Sequence, residues 1–165
     1  MQVESLNAKL VALNDKIFNR LRSVQTREAG VTADVLLSLL ERMKSEVSPL
    51  PRRYSDFQAF AYNVHGIIAW DEGTKESARR AVTHFENQLE VNESIGFADG
   101  IATAKANIAA AKSKFKGGRN NEELLKASQG FYELRVAEYG EEHESTIWAG
   151  NAYAIHLLNF KRWGE

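Results

Sequence analysis

Four histidines, His65, His84, His143 and His156, are the side chains of this sequence best suited to moving protons near neutral pH or to holding a metal. No two of them stand four residues apart, so the helical histidine pair of zinc proteases is absent. The chain has no cysteine, which removes thiolate ligands, disulfides and a thiol nucleophile together. It also lacks the G-x-S-x-G turn of serine hydrolases and the P-loop signature. The carboxylates of "YGEEHES" (139–145) read as a solvated loop and helix cap rather than an acid–base pair. "GFADG" (96–100) and "GGRNN" (117–121) join helical segments rather than following strands, so they are not phosphate cradles. No catalytic residue, metal ligand set or cofactor is expected, and the chain does not read as an enzyme.

Asparagine is the polar residue whose spacing stands out. Asn19, Asn63, Asn107 and Asn151 follow one another at intervals of 44 residues. Three places after them come Arg22, Gly66, Ala110 and Ala154, so three of the four copies are small there. Gly73 and Gly117 repeat the interval, as do Gly96 and Gly140. A fixed period within about 20–50 residues is the mark of stacked repeats. An asparagine amide donates and accepts at once, so a ladder of them suits gripping a peptide main chain. The same amides could instead bond to neighbouring helices and hold the stack together.

These side chains need elements to carry them. The chain has 165 residues, enough for one domain with a core of its own, and only two prolines, Pro49 and Pro51. Abundant Ala, Leu, Glu and Lys without β-branched runs point to an all-α fold. With 21 basic and 22 acidic side chains the net charge is −1, which argues against a nucleic-acid binder. The basic clusters "PRRY" and "KSKFKGGR" are short and balanced by nearby acids. The opening residues lack a signal-peptide core and no apolar run approaches ~20 residues, so no membrane association and a soluble, cytoplasmic protein are expected.

Periodicity places seven helices. The first spans about 3–27, with Leu6, Leu10, Leu13, Ile17 and Leu21 on one face. "EAGVTAD" (28–34) is expected to break the chain, with Thr32 capping a second helix through Val47. "SPLPRR" forms a loop, and Ser55 or Asp56 caps a third helix that ends at Gly73. The fourth, 74–94, places Ala78, Ala81, Val82, Phe85 and Leu89 in a buried stripe. The fifth, about 99–116, is Ala-rich and ends at "KGGRNN". The sixth runs from 121 to 139 with Leu124, Ala127, Phe131 and Leu134 inward, and the seventh fills 145–163. Short connections make neighbours antiparallel. Gly150, Ala152 and Ala154 in the middle of the seventh helix make sense where another helix approaches closely.

Glu133, Arg135, Gly140, Glu141, His143 and Asn151 stand in the order E-x-R-x-x-x-x-G, E-x-H, N. That stretch, 133–165, resembles a tetratricopeptide repeat of the kinesin-light-chain type, with Glu144 in place of the usual proline. Residues 61–82 resemble the same unit: an A helix, a glycine turn and the start of a B helix, with Gly66, Gly73 and Ala78 on its small positions. The resemblance implies a right-handed α-solenoid of antiparallel helix hairpins. Residues 1–54 would be a degenerate or capping hairpin, and 55–165 tetratricopeptide-like repeats ending in a lone A-type helix. It further implies a protein-interaction scaffold whose A helices line a concave groove for a peptide or partner helix. Phe60, Asn63, Ile67, Trp70, Asn107, Lys114, Trp148, Asn151 and Ile155 fall on that groove. Alternatives are a regulatory helical domain of a larger, possibly enzymatic protein, or a homo-oligomerisation module, with a homodimer through the C-terminal end near Trp163.

Overall fold

The computed structural model describes residues 3–22, 26–48, 50, 53–115 and 122–162. Within them are seven helices and no strand: α1 (Val3–Arg22), α2 (Thr26–Glu46), α3 (Tyr54–Asp71), α4 (Lys75–Ile95), α5 (Ala98–Phe115), α6 (Glu122–Tyr139) and α7 (Glu144–Arg162). The SPLPRR prolines, the KGGRNN break and Trp163 lie outside the described residues, as does the side chain of Leu21.

Local chemistry explains most boundaries. At the start of α4, Ser77 N–H donates to Thr74 Oγ1 (2.9 Å) and Thr74 N–H donates to Ser77 Oγ (3.1 Å), a reciprocal cap. The end of α4 is a Schellman turn in which Phe97 N–H donates to the Asn92 carbonyl and Gly96 N–H to that of Glu93. Gly96 has φ 68° and Gly140, after α6, φ 82°, the left-handed region glycine enters without a Cβ penalty.

Several sequence expectations fail. "EAGVTAD" does not break the chain; it is helical and belongs to α2. Gly30 lies against α3, where a Cβ would come within 3.1 Å of Ile68 Cδ1, so it marks close approach of α3 rather than a turn. Thr32 is buried and donates to the Glu28 carbonyl (2.8 Å), a bond back along its own helix instead of a cap. Neither Ser55 nor Asp56 caps α3, whose N-cap residue, Arg53, makes no side-chain cap bond; Asp56 pairs with Arg53 at 3.5 Å.

Substantial packing joins each helix to its sequence neighbours, α1 to α2 and onward to α6 against α7. One core gathers Leu6, Leu10, Ile17, Leu36, Leu40 and Met43 from α1 and α2 with Phe57, Ala61 and Val64 of α3. A second joins Ala69 of α3, Ala81, Val82 and Phe85 of α4, and Ile108 and Ala111 of α5. Helix α3 serves both. Its contact with α4 depends on Gly66, where a Cβ would lie 2.3 Å from the fully buried Phe85 ring. On α6, Leu124, Ala127, Phe131 and Leu134 are half-buried rather than fully inward.

The 44-residue interval relates α3 to α5. Helices α3 and α5 begin and end 44 residues apart, and α4 and α6 each end one residue before a left-handed glycine. Two side chains bridge that interval: Asn107 Nδ2 donates to Asn63 Oδ1 (3.2 Å), and Lys114 Nζ to the Trp70 carbonyl (2.8 Å).

Candidate functional site

A cleft of about 880 Å³ opens between the N-terminal halves of α3 and α5, floored by the C-terminal half of α4 and closed at one end by Arg135 of α6. Phe60 and Asn63 line the α3 wall, Thr103 the α5 wall, and Gln88, Asn92 and Ile95 come from α4. The cleft exists because α4 and α5 are joined by two residues only. Gly96 reverses the chain, and Gly100 lets α5 start so close to α4 that a Cβ would meet the Asn92 amide at 2.6 Å. Phe97, half exposed, stands at the rim beside Ile95.

The floor is polar and incompletely satisfied. Gln88 is 6% exposed and its Oε1 has no hydrogen-bond partner, an expensive arrangement for a buried acceptor. Arg135 Nη2 lies 3.0 Å from Asp99 Oδ1 as an ion pair, but out of line for a hydrogen bond, and Arg135 Nε is unpartnered. Burial pushes the Asp99 carboxyl above its usual range against the opposing pull of the misaligned guanidinium; Glu138 adds to the rise. The Arg135 guanidinium also rests on the Phe131 and Tyr139 rings at 4.9 and 5.3 Å.

This chemistry suits hydrogen bonding more than reaction. Ser55 and Thr103 supply hydroxyls to the lining, and none of the four histidines reaches it. His65 and His84 stack at 5.2 Å elsewhere, with His65 Nε2 3.3 Å from Asp34 Oδ1. His143 ends the loop before α7, where Ser145 N–H donates to its Nδ1 (3.2 Å), a capping role. No three His, Asp or Glu side chains gather as a metal site among the described residues, and no helix among them is long and apolar enough to cross a membrane.

The residues expected on a groove separate into three groups. Phe60 and Asn63 line the cleft, and Asn107 joins it indirectly through its bond to Asn63. Ile67 and Trp70 pack on the second core, with Lys114 4.8 Å above the Trp70 ring, so they tie α3 to α5. Trp148, Asn151 and Ile155 are exposed on α7 and line no part of the cleft. Asn63 and Asn107 form a rung of the asparagine ladder, whereas Asn151 makes no bond to Asn107. Sequence reasoning missed Gln88, Asn92 and Asp99. The "GFADG" turn was the available signal, since its glycines bring α4 and α5 together over those side chains. Comparison with family models, with curated proteins and with solved structures finds no match to this chain.

Proposed function

We propose that the chain is a non-catalytic protein-interaction scaffold, a right-handed α-solenoid of tetratricopeptide-like hairpins that holds an extended peptide in the cleft between α3 and α5. The observation that carries the reading is the cleft itself, set between two helices 44 residues apart and lined by Phe60, Asn63 and Thr103 over a polar floor of Gln88 and Asn92. A peptide backbone offers N–H and C=O groups in alternation, which the half-buried Ser55, Asn63 and Thr103 side chains of the lining can meet. Phe60 and Phe97 supply apolar surface for a ligand side chain. Packing strongest between sequence neighbours, with bridges between α3 and α5 one interval apart, supports the solenoid. The left-handed Gly140 and the capping His143 support the resemblance to kinesin-light-chain-type repeats.

Panning a random peptide library against the full chain tests this. The expected result is an enriched peptide family with micromolar affinity and one recurrent apolar residue. Thr103→Trp, which fills the cleft from α5, should weaken those peptides at least tenfold while circular dichroism stays unchanged. Failure to enrich any family, or peptides indifferent to that substitution, would sink the reading.

A further inference from the structure

Helix α7 carries an uncharged exposed face made of Ile147, Trp148, Asn151, Ala154, Ile155 and Leu158. Spacings of one, four, seven, eight and eleven residues from Ile147 place all six on one stripe. Trp148 is 68% exposed and Leu158 61%, unusual for side chains of this size. Attachment to α6 uses the opposite side. Thr146 Oγ1 donates to the Arg135 carbonyl (3.1 Å), Ala149 is fully buried, and Tyr153 stacks on Tyr132. Two periods earlier, α3 presents Gly66 where α7 has Ala154, and α4 covers it with Phe85; on α7 that side is open.

We propose that the stripe is closed by the same stripe of a second copy of this chain, α7 lying antiparallel on α7. The charges choose the occupant and the direction. Glu141, Glu142 and Glu144 cluster at the start of the helix, and Lys161 and Arg162 fall in its last turn. Antiparallel pairing sets acid over base at both ends and opposes the helix dipoles; parallel pairing would set like over like. A two-fold axis crossing between Asn151 and Ala154 brings Ile147 against Leu158 of the partner subunit. Asn151 is the one polar side chain on the stripe, and such a residue in an apolar seam fixes register at some cost in strength. The small Ala154 lets the helices close at the crossing. None of this depends on the cleft having a ligand.

The experiment is sedimentation equilibrium of the full chain from about 1 to 200 µM, where a small two-helix seam should dissociate. A monomer–dimer equilibrium is expected, with Leu158→Glu raising the dissociation constant at least tenfold. Exchanging charges separates this seam from any other. Lys161→Glu with Arg162→Glu should weaken the dimer, and adding Glu141→Lys and Glu142→Lys should restore it. Because the chain has no cysteine, single substitutions also report geometry without requiring affinity. Ala154→Cys should oxidise to a covalent dimer, whereas Leu158→Cys should not, its partner copy lying ~16 Å away along the antiparallel seam. A monomer throughout the range, a dimer indifferent to Leu158→Glu, or equal cross-linking at 154 and 158 would overturn the proposal.

Discussion

At the scale of the residue, small side chains and half-buried titratable groups set the sharpest constraints. Gly66 has no room for a methyl group, because the Phe85 ring fills that space and is itself fully buried. Gly66→Ala is expected to destabilise the fold by about 1–3 kcal/mol through overpacking, read as a lower midpoint in urea unfolding. His84 sets a pH dependence. Burial holds it below its ordinary value, and the stacked His65 and nearby Arg80 act the same way, with Asp34 opposing. His156 is lowered by burial as well. A base depressed in the folded chain binds fewer protons there than when unfolded. The stability it contributes is therefore present above the unfolded value near 6.5 and is lost as pH falls from there through the lower folded value. Urea midpoints should fall between about pH 7.5 and 5.5, and His84→Gln should flatten that slope. A slope unchanged in the variant would contradict the assignment. Asp99 works in the opposite sense further into acid. Its raised carboxyl favours the folded chain below about 3.8, and that contribution fades as pH rises through the folded value.

At the scale of the element, much was legible in the chain before any coordinates. The stripe Ala78, Ala81, Val82, Phe85 and Leu89 of α4 follows from helical period alone, and four of the five are buried with Leu89 half-buried. Gly140 and Gly96 were visible as paired punctuation, and both lie in the left-handed region. Gly30 misled because a glycine that ends a helix and one that admits a neighbour are the same letter. The difference lies in Ile68, 38 positions away, which sequence-local reasoning cannot see. The cleft was half legible. Asn63 came from repeat spacing and Phe60 from the resemblance to tetratricopeptide repeats, whereas Gln88 and Asn92 gain their meaning from the two-residue turn that joins α4 to α5. Thr74 offers a check at this scale: Thr74→Ala removes a reciprocal cap and should cost about 0.5–2 kcal/mol, measured by thermal unfolding.

At the scale of the whole molecule, the apolar core is unevenly shared. The first five helices supply both core clusters, whereas α6 and α7 together contribute Ser128, Thr146 and Ala149 as their buried side chains among the described residues. Protection follows buried contact, so amide hydrogens of α6 and α7 should exchange faster than those of α3 and α4. Mass-spectrometric exchange of the dilute monomer would show this gradient, and uniform protection would contradict it. Packing each helix on its sequence neighbours also has a mechanical meaning. Tension applied along the chain would load the α5–α6 and α6–α7 interfaces in series, while the links from α3 to α5 hold the earlier helices together. The molecule would lengthen in steps beginning at the α6–α7 end, giving way like a spring of unequal coils.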